Sequence, residues 1–474
     1  MPELGLTIPF PEQVARGENS QSARVIPPLP PRPTAPLPLW RVLLQLRRNA
    51  IGTWGEPAYH LDVMSGRFLG RKSVIINAPD AIRRVLVDNH AAYGRTPATL
   101  RIIRPLLGEE GLFLAEGAAW RHQRRLVAPA FAPRALDLVA VQVAELAGGL
   151  VADLRGRTPG PVDMLRAMQR LTLEVAGRSF FSQTMGEHGP AIRAAIEGYG
   201  RRLARPSFLD FLLSAEAHDP LAWLRNRAGR AFKDVLDRII AERGRTPPAD
   251  PPRDLFDVLV AARDPETGEP FTPDQLRDQI ATLIIAGHET TALSLFWSFY
   301  LLALDPLWQE RVAEEAATVD LSPEGAVAAA DKLPVARAVV QEALRLYPPA
   351  FTIVRLAKER DELAGEEVPP GTLVVISPWL LHRHRKLWQD PDAFDPSRFL
   401  PGAPPVGRYA YLPFGIGPRV CVGAQFALLE ASLVLATLVR AFRIELPASS
   451  RRVLPAAVVT TAPERAIPFR LVPR

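Results

Sequence analysis

Phe414-Gly415-Ile416-Gly417-Pro418-Arg419-Val420-Cys421-Val422-Gly423 carries the only cysteine of the chain, in a glycine-rich stretch just ahead of an apolar helical run. Glycines let a backbone come close to a flat ligand and turn its N–H groups inward. N–H donors near a sulfur, with a helix N-terminus alongside, favour thiolate over thiol. Arg419 stands close enough in sequence to pair with an anionic group of the same ligand. The plainer reading is an inert buried cysteine, the common fate of a free one. A dinucleotide-binding loop is excluded, because Val420 stands where the third glycine belongs and no strong strand precedes the loop. A single cysteine also excludes an intrachain disulfide and any Cys-rich zinc or iron–sulfur site.

Further patterns lie upstream. Thr272-Pro273-Asp274-Gln275 is a capping box with proline at the first helical position. It opens the longest helical signal, which runs to Leu304 and stops at Asp305-Pro306. About 32 residues at 1.5 Å each give roughly 48 Å. Ala286-Gly287-His288-Glu289-Thr290-Thr291 stands at its middle, and His288 and Glu289 there favour a buried core helix over a membrane span. A mid-helix glycine costs about 1 kcal/mol against alanine and needs a reason. The HExxH metal pattern fails, since Ala292 occupies the second histidine position. Glu342-Ala343-Leu344-Arg345, on a helix from Pro334 to Leu346, sets a carboxylate and a guanidinium on one face; alone it reads as a surface ion pair. Trp120-Arg121-His122-Gln123-Arg124 adds an aromatic and a guanidinium one helical turn apart.

Together these segments resemble the cytochromes P-450. The cysteine loop matches that family's FGxGxRxCxG pattern at every fixed position, and six fixed residues at about 5% usage each give a chance match of roughly 10⁻⁸ per start. The resemblance covers roughly residues 40–474 and implies a mainly α fold with a small β region. It implies haem b (iron protoporphyrin IX) with Cys421 as the metal ligand and Phe414 in the loop beside it. It places Trp120, Arg124, Arg355 and Arg419 at the haem propionates, although many bacterial members carry histidine where Arg419 stands. It has the long helix open over the haem at Ala286 and Gly287, with Thr290 and Glu289 as an alcohol–acid pair delivering protons on the oxygen side. It makes Glu342, Arg345 and Arg398, the last from Phe394-Asp395-Pro396-Ser397-Arg398-Phe399, a buried structural triad. It sets pocket walls at Leu106, Leu107 and Phe113, at Thr282, Ile285 and Ala286, and at Phe351, Thr352 and Ile353. No fixed charge stands among these, so a fatty acid, a terpene and a steroid-like molecule fit equally. The implied reaction inserts one atom of O₂ into an apolar substrate, with electrons from NAD(P)H. An H₂O₂-driven peroxygenase and a non-catalytic haem sensor are the alternatives; the first type lacks the acid–alcohol pair and the second usually carries an effector domain.

The 474 residues are 47% apolar and 23% charged, which excludes a disordered chain, a collagen and a bundle of membrane helices. Net charge is 57 − 51 = +6, almost all from arginine, too little and too dispersed for a nucleic-acid binder. Residues 1–40 are expected to form a Pro-rich arm and residues 41–474 a single domain. Residues 58–63 and 73–77 read as a hairpin about Ser65-Gly66, with further strands at 351–356 and 372–377 and a last helix after Gly423. No signal peptide, anchor helix or appended redox domain is expected. The resemblance then implies a cytoplasmic member fed by a separate ferredoxin or flavodoxin and its reductase. Arg121 and Arg125 read as a solvated basic face that, with His122, presents charge to an acidic redox partner.

Overall fold

The computed structural model describes residues 24–157, 160–213, 217 and 219–474. Residues 1–23 of the proline-rich arm lie outside them. From Arg24 on, the arm follows the body: Arg32 bonds Glu56 and Asp392 at 2.9 and 2.8 Å, and the Phe394 N–H donates to the Val25 carbonyl at 2.8 Å.

Ten helices organise the site. They are α1 (Pro97–Leu107), α2 (Gly117–Val127), α3 (Pro133–Arg157), α4 (Met164–Phe181), α5 (Gly189–Arg202), α6 (Ala222–Gly244), α7 (Pro273–Leu304), α8 (Pro306–Ala317), α9 (Pro334–Leu346) and α10 (Ala424–Ala441). The box at the start of α7 forms as its sequence dictates. The Thr272 hydroxyl accepts from the Gln275 N–H at 3.2 Å, and Gln275 returns the bond to the Thr272 N–H at 3.0 Å. Its C-terminal half, Thr291 to Leu302, is buried on all sides. It packs on α4, α9 and α10, with Trp297 stacked on Tyr347 of the α9 exit at 3.9 Å between ring centres. Three helical segments, Ala135–Gly156, Pro273–Leu304 and Ala424–Ala441, are long and apolar enough to cross a membrane by length and composition; most of the latter two is buried inside the protein.

The five-stranded sheet joins β1 (Val63–Phe68), β2 (Arg71–Ile76), β3 (Tyr93–Gly94), β4 (Ile353–Ala357) and β5 (Leu373–Ile376) in the order β1-β2-β5-β4-β3. Only β2 and β5 run parallel, with Val74 beside Val374. The expected hairpin exists, but its turn is not Ser65-Gly66. Gly66 pairs with Ser73 inside the ladder, and the chain reverses at Leu69-Gly70, both at positive φ (51° and 79°). Two such residues make the turn that matches strand twist, and a leucine in that region hides the turn from composition. Residues 58–62 form no strand. A C-terminal hairpin, β6 (Pro455–Ala457) and β7 (Thr461–Pro463), is bolted to the core. The Thr461 hydroxyl donates to the Pro348 carbonyl at 2.6 Å, and the Trp297 indole donates to the Thr461 carbonyl at 2.8 Å. Its turn, 458–460, therefore hangs between α7 and the segment leading into β4.

Candidate active site

The cysteine loop is shaped by its glycines. Gly415 and Gly417 lie at φ +68° and +78°, and a Cβ on Gly417 would collide with the Leu86 carbonyl oxygen. The Cys421 N–H closes the loop on the Phe414 carbonyl at 2.9 Å. Cys421 is exposed, yet desolvation raises its thiol above the ordinary value. The residue thus keeps accessible surface within a desolvated loop. The Gly423 N–H and the Arg124 guanidinium pull the other way but are outweighed. A metal cation on the sulfur would add to these donors and favour the thiolate.

Across the site, Ala286 and Gly287 are exposed in the middle of α7, between buried Ile284 and buried His288. Ile285 and Val422 pack against one hydrophobic cluster, which brings this stretch and the cysteine loop together. The expected opening of the helix is not seen as a break, because α7 is continuous from Pro273 to Leu304. Space comes from small side chains instead: nothing lies within 4 Å of a Cβ built on Gly287. Thr290 donates to the Ala286 carbonyl, and Glu289 accepts from the Thr460 hydroxyl at 2.9 Å, so acid and alcohol have separate partners. Desolvation raises the Glu289 carboxyl above its usual range, and His288, bonded to the Gln169 carbonyl at 2.9 Å, is held down to about 4.

Three arginines there share one carboxylate, Glu116, among the described residues. Arg355 (in β4) is lowered to about 10 by burial and by Arg419. Arg95, which the sequence reading missed, is lowered to about 9 by burial and by both neighbours. Its buried Nε has no partner among the described residues. The nearby Glu116 is engaged by Lys358 and by the Arg95 N–H, each at 3.2 Å. Arg419 lies 4.8 Å from the centre of the buried Trp120 ring and donates to the Ala115 carbonyl at 2.8 Å. Arg124 donates to Val420 of the cysteine loop at 2.9 Å. An accessible cysteine in a desolvated loop, a small-residue stretch in the middle of α7, and three arginines sharing one carboxylate among the described residues fit one flat ligand with a metal at its centre and carboxylates at its edge: haem.

The Glu342–Arg345 pair is a buried scaffold, not a surface ion pair. Arg345 grips both carboxylate oxygens at 2.6 and 2.7 Å and donates to the carbonyls of His382, Pro391 and Ala393. Arg398 joins more loosely, at 3.5 Å from Glu342. The expected pocket walls differ in exposure. Leu106 and Phe351 belong to packed cores, and the Thr282 hydroxyl is turned back onto the Asp278 carbonyl at 2.8 Å. Leu107 is likewise buried. Phe113 is exposed beneath Arg95, while Ile285, Thr352 and Ile353 are partly open. The basic face on α2 is mostly neutralised. Arg125 and His122 bind the buried Asp264 at 2.7 and 2.6 Å, pushing its carboxyl well below the usual range, so Arg121 alone stays exposed.

Comparison with known proteins agrees with this geometry. The profile described as Cytochrome P450 matches residues 30–468. Cyclooctatin synthase of Streptomyces melanosporofaciens is 34% identical over 91% of this chain and 94% of its own length. Cyclooctat-9-en-7-ol 5-monooxygenase of the same organism is 32% identical over 86% of each chain. Pentalenene oxygenase of Streptomyces avermitilis is 30% identical over 91% of this chain and 94% of its own. The glycine-shaped cysteine loop, the small-residue stretch of α7 and the cluster of arginines are thereby identified: the chain belongs to the cytochrome P450 family, haem-binding oxidoreductases that incorporate oxygen from O₂.

Proposed function

We propose that this enzyme places one oxygen atom into a terpenoid-sized apolar substrate, with electrons from NAD(P)H through a separate ferredoxin or flavodoxin and its reductase, in the cytoplasm. One observation supports this most. The partly open or exposed residues Ile285, Ala286, Gly287, Thr352 and Ile353 carry no charge, while partly buried cations stand together at Arg95, Arg355 and Arg419. Three relatives whose names concern cyclooctatin, cyclooctat-9-en-7-ol and pentalenene support the terpenoid class over a fatty acid or steroid. Residues 41–474 act as one domain in this reading, with residues 1–40 as its arm.

Bound haem supplies an iron at which O₂ is reduced and one oxygen atom passes to the substrate. The chain does the rest. Cys421 binds the iron through Sγ, and Arg124 and the Gly423 N–H temper the charge on that sulfur. Arg95, Arg355 and Arg419 clamp the carboxylates with charge-assisted bonds. Ala286 and Gly287 keep the centre clear, and the apolar walls exclude water. Burial shifts Glu289 toward its protonated form, and Thr290 places its hydroxyl on the Ala286 carbonyl beside the small-residue stretch. That acid–alcohol pair favours the O₂ route over a peroxygenase.

The test is a spectral-shift screen of terpenoid alcohols and hydrocarbons, fatty acids and steroids, followed by turnover under ¹⁸O₂ with a surrogate ferredoxin and reductase. A terpenoid product carrying one ¹⁸O is expected. Shifts from fatty acids alone, or label arriving only from added H₂¹⁸O₂, would overturn the reading. Cys421→His retains haem but loses the red-shifted band of the reduced CO complex; a Cys421→Ala protein that kept this band would remove Cys421 from the iron.

A further inference from the structure

We propose that Thr460 is a positioning residue for the acid of α7: from the tip of the β6–β7 hairpin its hydroxyl holds Oε1 of Glu289, so that the exchangeable proton of that carboxyl sits on Oε2. The consequence for proton delivery rests on the proposed role of Glu289 and Thr290; the contact itself does not.

Glu289 and Thr290 do not bond to each other. Thr290 is spent on the Ala286 carbonyl, and Glu289 accepts from Thr460 at 2.9 Å. Thr460 comes from a distant, rigid mount. The next residue, Thr461, donates its N–H to the Pro349 carbonyl at 3.2 Å and its hydroxyl to the Pro348 carbonyl at 2.6 Å, and it accepts from Trp297. Trp297 and Glu289 are two turns apart on the same helix, so α7 holds the hairpin at one point and is held by it at another.

The surroundings of Glu289 decide its charge. No lysine or arginine forms an ion pair with it among the described residues. Glu197 of α5 adds like charge, and His288 is turned away to α4. A carboxyl group with one hydroxyl donor, no cation and a like neighbour is shifted toward its protonated form. When one oxygen of such an acid accepts from a hydroxyl, the proton resides on the other. Thr460 thus sets which oxygen of Glu289 exchanges its proton with the cavity, and a chain lacking that hydroxyl leaves the carboxyl free to rotate.

The test is H₂O-minus-D₂O infrared difference spectroscopy on the haem-loaded protein. Glu289→Gln removes one protonated-carboxyl band, which assigns it. In Thr460→Val that band moves to higher frequency, because its carbonyl has lost a donor. The pH at which the band disappears also rises, by about one unit, a tenfold gain in proton affinity for one lost hydrogen bond to the carboxylate. Thr460→Ser restores both. An unchanged band and midpoint in Thr460→Val, with normal haem content and CO spectrum, overturns the proposal, as does a Glu289→Gln spectrum that has lost no band. If Thr460→Val loads no haem, Thr460→Ala carries the comparison. A wild-type protein without the red-shifted CO band would sink the thiolate reading and leave this contact standing.

Discussion

Two sets of buried arginines stand in this molecule, and they are built on opposite plans. Arg345 lies in a nest of its own chain's making: two carboxylate oxygens from Glu342 and three backbone carbonyls use every N–H of its guanidinium. Arg95, Arg355 and Arg419 lie together with one engaged carboxylate nearby; burial lowers all three, Arg419 lowers Arg355 further, and both lower Arg95. Burying a charge is costly unless it is paired. The first set is complete without a ligand and belongs to the scaffold. The second is complete only when something anionic arrives, and its cost is a standing preference for that anion. The difference separates structural from ligand-holding arginines without reference to any relative.

The sharpest break of this comparison is Glu342→Ala. It strands Arg345 among carbonyls with no counter-charge, a loss of about 3–5 kcal/mol. Little folded, haem-loaded protein is expected in purification yields, and normal haem content with only turnover lost would refute the scaffold role. Arg95→Gln comes next and acts on the other plan. Haem is held more weakly by about 1.5–3 kcal/mol, the worth of a bond to a charged group, measured by haem transfer to a scavenger in excess. The haem-free protein should melt no lower than wild type, because a repelled cation has gone. A drop comparable to that of Glu342→Ala would erase the distinction.

The smallest effect sharpens the contrast with a third case. Glu430 on α10 is buried, its Oε1 has no partner among the described residues, and desolvation alone pushes its carboxyl far up. An acid raised in the folded state costs nothing below the ordinary carboxylate range, and its penalty grows as pH rises above that range. Glu430→Gln should therefore raise the melting temperature at pH 8 by the equivalent of about 1 kcal/mol, and the gain should vanish toward pH 4. A pH-independent difference would mean that packing, not protonation, governs the site.

What the sequence revealed follows from locality. The cysteine loop, the capping box of α7 and the Glu342–Arg345 spacing are short-range patterns, and each forms where its residues require. Arg95, Thr460 and Asp264 acquire their roles from partners far along the chain: Arg355 and Arg419, Glu289, and Arg125 with His122. Each reads locally as an ordinary loop residue. The expected pocket walls are less legible for a related reason. Leu106 and Phe351 have the composition of a cavity lining, but composition does not separate a side chain facing a void from one pressed into a core. The hairpin turn was misplaced because Leu69 takes the conformation usually given to glycine or asparagine.

The contact of Gly417 with the Leu86 carbonyl carries a lesson for anyone transplanting this loop. Its alphabet is closed at 415 and 417 by backbone shape, and at 421 by chemistry. At 417 it is closed a second time from outside, by residues of a distant helical turn. A graft that carries residues 414–423 alone would bring the sulfur but not the floor on which the loop rests. The segment around Leu86 and Val87 is as much a part of the cassette as the cysteine.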